Sequence, residues 1–502
     1  MSDIQESAFS DKDNIVKQKG FWANRPFCRT KIVATLGPSV DDELSMMALI
    51  EEGADVARIN FSHGELEEHA RRVHLFRQCA EKIGRVVGVI ADLQGPKLRI
   101  GSFIKDSVIL KEGNLFCLDF DCGENEGDEK RVSIFERSLL NDLSPGHVLL
   151  LDDGAVSLEV IKVTDQLIQS KVLIGGKLSN NKGLNLKGGG LSAPALTDKD
   201  YDDLSEIVKM DFDYIALSFV KKAQDVVKAR SILEGNKSDM GIIAKLECSE
   251  VLEHLDEIIK VSDGIMVARG DLAVEIGAAA VPVAQKQMIK RARELSKPVI
   301  VATQMMESMV YSKKPTRAET SDVANAILDG ADAIMMSSET AVGNNPVLVV
   351  KTATDICLEV EKHLGNLTPT SFKKDHFSYF DEAIAMAAIY TALRIDVAAL
   401  VALTESGQTP LWMSRARSDL IIFGLSRSIR SCRKMTLFRG VIPVYFDSNK
   451  RQSHRHAHEG LNLLHDLGYL SLGDHVIVTK GDKVGCIGQS NTLKIMKVEK
   501  NG

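Results

Sequence analysis

Short apolar runs, many of them β-branched, recur along the chain, and most are followed by a stretch whose apolar positions have helical spacing. In order they are KIVATLG (31–37), DVARINFS (55–62), VVGVIADL (86–93), DYIALSFV (213–220), GIIAKLE (241–247), GIMVARGD (264–271), PVIVATQ (298–304) and AIMMSSET (333–340). Segments such as DDELSMMALIEEG, AQDVVKARSILEG and AAVPVAQKQMIKRARELS lie between them. Nearly continuous apolar strands alternating with helices predict a parallel sheet covered by helices. Eight such units predict an α/β fold built on a closed (β/α)8, or TIM, barrel.

Two changes of pattern interrupt this rhythm. From about Gly95 to Thr197 the chain switches to short alternating strands such as LFCLDF and LIQSKVLIGGKL. The switch predicts an antiparallel β-barrel domain, residues 95–196, inserted after the third strand and able to act as a lid. Gly and Pro mark both its edges, and KGGGL (187–191) reads as a hinge rather than a nucleotide loop. The barrel therefore comprises residues 29–94 and 197–367, after an N-terminal extension of residues 1–28. From residue 368 to 502 a helix and the runs AALVALTESGQT, LIIFGLS, VIPVYFD and HVIVTKGD predict a C-terminal α/β domain.

Composition narrows the class. With 502 residues, 44% hydrophobic and 26% charged, the chain has the make-up of a soluble protein of several domains. No apolar run approaches the roughly 20 residues of a membrane span. The polar, early-acidic start is unlike a signal or transit peptide, so a cytoplasmic location is expected. Eight scattered cysteines, with no His partner at zinc spacing near Cys117 and Cys122, read as reduced thiols. A net charge of −7 argues against a general nucleic-acid binder, yet leaves room for anionic substrates gathered at one cationic cleft.

In a barrel of this kind the C-terminal strand ends converge on one face, where active sites are built. Those ends offer Thr35, Arg58, Asn60, Ser62, His63, Asp92, Lys245, Glu247, Asp271, Glu275, Thr303 and Glu339, while Lys31, Asp55, Asp213 and Asp263 at the opposite ends are expected in solvent contacts and turns. Any one polar residue can end a strand without a function, but two cations, several carboxylates and three hydroxyls at one end call for chemistry. Glu247 and Asp271, on adjacent strands, suit a Mg²⁺ ion that keeps waters. Lys245, two residues before Glu247, points to the same side, and Arg58 and Arg99 suit phosphate. This is equipment for phosphoryl transfer. A lysine at that place equally suits a Schiff base, which keeps a carbon–carbon lyase open.

The segments RINFSHG, ADLQGPKLR, IIAKLE, MVARGDLAVEIG, ATQMMESM and PTRAETSDVANAILDGADAIMMSSETA, in that order, closely resemble the pyruvate kinase family, with similarity from about Arg29 to Lys497. The resemblance implies transfer of phosphate from phosphoenolpyruvate to ADP, giving pyruvate and ATP, in a homotetramer that binds neither nucleic acid nor membrane. It implies that Arg58 holds the substrate phosphate and that Lys245 stabilises the transferring group and the enolate. Glu247 and Asp271 would bind Mg²⁺ or Mn²⁺. Gly270, Asp271 and Thr303 would hold the carboxylate, with Thr303 also at the site of enolate protonation, and Asn60, His63, Arg99 and Lys182 would lie about the nucleotide. Potassium-dependent members carry Glu at the position of Lys97, beside ligands matching Asn60, Ser62 and Asp92. A lysine ammonium there brings its own positive charge, so K⁺ is expected to be dispensable. Cys248 stands where Asn is common, which raises the question of oxidation, and Ser338 where Gly is usual.

LTESGQTP (403–410) joins a strand to a helix-like stretch, and Thr404, Ser406, Gly407 and Thr409 offer hydroxyls and free N–H groups. Alone this reads as a Ser/Gly cap; with the resemblance it reads as the phosphate loop of a sugar-phosphate or nucleotide effector. HRHAH (454–458) reads as a solvated helix face, and TQMMESM as barrel packing or a subunit contact. Two other readings remain: another phosphoenolpyruvate or pyruvate lyase or aldolase on a barrel, and a catalytically silent sugar-phosphate sensor.

Overall fold

The computed structural model describes residues 27–364, 377–447, 455–483 and 485–499. Eight parallel strands close into a barrel: β1 (Lys31–Thr35), β2 (Ala54–Asn60), β3 (Gly88–Asp92), β4 (Tyr214–Leu217), β5 (Gly241–Leu246), β6 (Gly264–Ala268), β7 (Val299–Ala302) and β8 (Ala333–Met336). β1 pairs with both β2 and β8, which completes the ring. The strands stop earlier than the apolar runs suggest. Arg269–Ile276 is a helix, and so is Ser338–Ala341, because the polar residues that follow each strand turn into helical starts.

Alternation sorts each strand into two faces. Ile32, Ala57, Val89, Ile215, Ile242, Val267, Val301 and Ile334 pack outward beneath the helices. Val33, Val56, Ile90, Ala216, Ile243, Met266, Ile300 and Met335 fill the barrel interior. Met305, Met306 and Met309, all fully buried, belong to the outer packing.

The insertion between β3 and β4 forms a six-stranded and a two-stranded sheet, antiparallel apart from the Leu115–Asp119/Arg131–Ser133 pair. It has its own core around Phe116, Leu118, Leu149 and Leu158. The C-terminal unit is a five-stranded sheet, parallel except for its last strand, Ser490–Lys497.

The C-terminal unit covers the N-terminal end of the barrel: Leu411, Met435, Leu437 and Phe438 join the cluster that fills the barrel interior. That corrects an expectation about the lower strand ends. Lys31, Asp55 and Asp213 are 2%, 9% and 1% exposed rather than solvated. Lys31 Nζ donates to Val441 O (2.9 Å), Arg85 pairs with Asp55 (2.8 Å) and Arg77 with Asp213 (2.6 Å). Once a second domain excludes water there, a charge survives only if paired. Asp263 remains near the surface, paired with Arg230.

Candidate active site

The same alternation that fills the barrel places the chemistry. Two residues beyond Val33, Val56, Ile90, Ala216 and Ile243, on the inward face, come Thr35, Arg58, Asp92, Ser218 and Lys245. They form a polar layer above the apolar interior. Arg58 Nε donates to Asp92 Oδ2 (2.6 Å) and its Nη1 to Thr35 Oγ1 (3.2 Å). Lys245 Nζ donates to Ser218 Oγ (2.6 Å), 3.2 Å from Asp92 Oδ1 and 3.5 Å from Glu247 Oε2. Ser218 is a member that sequence reading missed, although its position two residues after Ala216 was a usable signal.

The layer is buried, so its charges depend on one another. Burial works against the Asp92 carboxylate, but the Arg58 guanidinium and then the Lys245 ammonium outweigh it and hold its pKa below the usual value. Burial likewise opposes the Lys245 ammonium, and Asp92 and Glu247 overcome it, raising its pKa. Glu247 goes the other way: burial lifts its pKa, partly offset by Lys245 and reinforced by the Asp271 carboxylate. Glu247 Oε1 accepts the Phe219 N–H (2.7 Å), whereas its buried Oε2 has no hydrogen-bond partner. A buried carboxylate oxygen without a donor, with a second carboxylate close by, suits a hard divalent cation.

Asp271 lies in the first turn of helix Arg269–Ile276, and its Oδ1 accepts from Lys97 Nζ (2.7 Å). Gly270 N donates to Thr303 Oγ1 (2.9 Å), which brings the start of that helix against the end of β7. Thr303 and Gln304 both have positive φ, +69° and +52°. Two consecutive non-glycine residues in that region are strained and need support. Arg269 supplies it, donating to Ala302 O (3.2 Å) and Thr303 O (2.7 Å) while pairing with Asp322 (2.7 Å). So Arg269 is a brace beneath the site, not part of its anion-binding layer.

Several expected members lie elsewhere. Glu339 is fully buried and accepts the N–H groups of Met306 (3.1 Å) and Ser337 (2.6 Å), a structural role. Glu275 sits beside the lid hinge, where burial pushes its carboxyl up to about 7. Asn60 Oδ1 accepts the Ser62 N–H (3.2 Å) and shapes the turn that presents exposed His63. At the root of the lid Arg99 bridges to Gly183, and Lys182 pairs with Asp152 (2.8 Å). Lys97 reaches Asp271 and, at 3.9 Å, Asp153; among the described residues it makes no hydrogen bond to Asn60, Ser62 or Asp92. Cys248 is 1% exposed, and burial drives its thiol far above the ordinary value, which disfavours the reactive thiolate.

In the C-terminal unit Thr404 Oγ1 accepts the Gly407 N–H (3.0 Å), and Gly407, at φ +83°, caps helix Gln408–Arg415. An open pocket lies beside this loop, lined by Thr404, Ser406, Thr409, Arg427, Lys480 and Lys483 among others. Arg427 and Lys483 come from loops the sequence did not flag, and Lys480 from strand His475–Gly481. The Thr409 hydroxyl is shared with Ser490 at 3.0 Å and is buried. His458 lies on helix His456–Asp466, and His454 is outside the described residues.

Two family models match the chain. One described as "Pyruvate kinase, barrel domain" covers residues 27–350, and one described as "Pyruvate kinase, alpha/beta domain" covers residues 382–496. Among characterised relatives, Pyruvate kinase II of Salmonella typhimurium is 46% identical over 481 residues, 95% of this chain and 100% of its own length. A pyruvate kinase of Haemophilus influenzae is 42% identical over 481 residues, with the same coverage. One from Geobacillus stearothermophilus is 40% identical over 476 residues, 93% of this chain and 80% of its own.

Proposed function

The chain belongs to the pyruvate kinase family and is a phosphotransferase that acts on phosphoenolpyruvate and ADP, and from that premise we propose how its own residues carry the reaction. The observation that carries the proposal is the buried Glu247 Oε2, which accepts no hydrogen bond, lying 3.5 Å from the Lys245 ammonium and close to Asp271.

Glu247 and Asp271 hold a Mg²⁺ or Mn²⁺ ion, which when bound supplies positive charge to the substrate oxygens. Arg58 binds the phosphoenolpyruvate phosphate through its guanidinium fork. The N–H groups at Gly270 and Asp271, with the Thr303 hydroxyl, receive the carboxylate. Asn60, His63, Arg99 and Lys182 receive the nucleotide phosphates as the lid closes. As the bridging P–O bond breaks and the phosphoryl group passes to ADP, Lys245 Nζ neutralises charge on the phosphoryl oxygens and then on the enolate oxygen. A water held by the Thr303 hydroxyl gives a proton to the enolate methylene carbon, is reprotonated from solvent, and completes pyruvate. Lys97 replaces the monovalent cation that Asn60, Ser62 and Asp92 would otherwise surround, its charge standing beside a metal carboxylate.

The cavity at Thr404, Ser406, Gly407 and Thr409 supports an allosteric site for a sugar phosphate or nucleotide, with Arg427, Lys480 and Lys483 as its cations. Assembly into a homotetramer is part of this reading, as the family resemblance implies. Among the described residues no helix is long and apolar enough to cross a membrane, and we place the enzyme in the cytoplasm.

The test is pyruvate formation from phosphoenolpyruvate and ADP with Mg²⁺ and sodium as the remaining cation. Turnover supports the scheme with Lys97 in the potassium role. Turnover that waits for K⁺ discards that role. Silence with K⁺ and a panel of sugar phosphates present overturns the scheme.

A further inference from the structure

The loop after β5 and the end of helix Arg269–Ile276 bring together three ligand-type side chains outside the reaction centre. The Cys248 thiol and one carboxylate oxygen each of Glu250 and Glu275 lie within 4.8 Å of one another. Cys248 is 1% exposed, and its thiol has no hydrogen-bond partner among the described residues. Alternation turns it away from the inward-facing Lys245 and Glu247, so the cluster lies on the other side of the strand end from the catalytic pair.

The two carboxylates converge without a cation between them. A Cβ added to Gly189 would stand 3.1 Å from Glu250 Oε2 and 3.3 Å from Glu275 Oε2, so both oxygens face the same hinge glycine. Neither residue forms an ion pair among the described residues, and the nearby Lys221 ammonium is spent on the carbonyls of Leu191 and Ala193. The available donors are N–H groups and a hydroxyl: Ser249 N to Glu275 Oε2 (2.6 Å), Gly190 N to Glu250 Oε1 (3.0 Å) and Ser249 Oγ to Glu250 Oε2 (3.2 Å). Each oxygen keeps accepting capacity, and a small pocket borders the three side chains. Like-charged, half-buried carboxylates facing each other are costly unless a proton or a cation joins them. A buried thiol aimed at the same point adds a soft donor, which favours zinc-class ions over magnesium.

We propose that Cys248, Glu250 and Glu275 form a binding site for a zinc-class divalent cation at the lid hinge, separate from the Glu247–Asp271 site. On binding, the sulfur–metal bond forms as the thiol proton passes to solvent, and the fourth position stays open to water. The site also ties the lid down. Glu250 holds the Gly190 N–H, and the Glu275 carbonyl accepts the Gly188 N–H (3.1 Å). A cation joining both side chains therefore stiffens the Gly188–Gly190 hinge, and zinc slows turnover in a way that excess Mg²⁺ does not relieve.

The test titrates Co²⁺ into the reduced full-length enzyme with Mg²⁺ in excess, so that the catalytic carboxylates are occupied. The expected result is a near-ultraviolet thiolate-to-cobalt band that saturates at one ion per chain and disappears when Zn²⁺ is added. Cys248→Asn should abolish the band and weaken Zn²⁺ binding by more than about tenfold, since even the loss of an outer-shell partner costs that much. Mg²⁺-supported turnover of this variant without zinc certifies its fold. Glu275→Gln, which keeps the thiol, should retain a weaker band at higher Co²⁺. The absence of a band in the parent enzyme, or a band and Zn²⁺ affinity unchanged in Cys248→Asn, overturns the proposal.

Discussion

The Lys97 ammonium lies 2.7 Å from the Asp271 carboxylate, so a residue at the root of the lid neutralises a carboxylate at the end of β6. The same ammonium is 3.9 Å from Asp153 in the lid, which links lid and barrel through one cation. Replacing Lys97 by Met removes that charge without adding another. Turnover in sodium-only buffer should fall by about tenfold or more, roughly 1.4 kcal/mol of barrier, and added K⁺ should recover part of it. A Lys97→Met enzyme as active as the parent without K⁺ would refute the role.

Lys245 is held by Asp92, Glu247 and Ser218 in a largely buried layer. Lys245→Met should lower kcat by at least about 10²–10³, the usual cost of removing one preorganised electrostatic contact. It should also lower stability by about 3–5 kcal/mol, because two buried carboxylates lose a shared cation. Steady-state kinetics and urea unfolding measure the two effects separately.

Glu275 ties pH to stability. Burial pushes its carboxyl from 4.5 up to about 7, so between those values the folded chain keeps a proton that the unfolded chain has released. Its contribution is therefore full below about pH 4.5 and is lost as pH rises through 7. With metals chelated, the apparent Tm should fall from pH 5.5 to pH 8, and by less in Glu275→Gln. The difference should be on the order of 1–2 kcal/mol, given the partial exposure of the group. Equal slopes for the two proteins would rule out Glu275 as the source.

Asp332 is one of the buried ties between the C-terminal unit and the barrel. It accepts from Arg415 Nη1 (2.9 Å), the Val299 N–H (3.0 Å) and the Arg439 N–H (3.1 Å). Asp332→Ala should destabilise the protein by about 3–5 kcal/mol by leaving a buried guanidinium unpaired. Any effector response should be lost before basal turnover is. Retained Tm and retained activation together would contradict this.

Much of this architecture was legible in the chain. Uninterrupted apolar runs followed by helical spacing identified all eight barrel strands, because burial on both faces leaves a local signature. The spacing of Lys245 and Glu247 put both on one side, and the motif order identified the family. Less was legible where partners meet across the ring. Ser218 reads as a plain strand end until closure sets it under the Lys245 ammonium. The bracing of the Thr303 turn by Arg269 has no local signal either, because its acceptors lie on the next strand.

The apolar runs by themselves determined which segments form the barrel strands and which end carries the polar layer, since burial on both faces and a polar strand end are local features of the chain. Only the tertiary structure decided which of those charges are paired, and with what. Lys31, Asp55 and Asp213 lie at strand starts that would be wet in a free barrel, and the C-terminal unit makes them a buried ionic layer. Charge pairing and exclusion of water arise between segments 30 to 410 residues apart, and no local pattern encodes them.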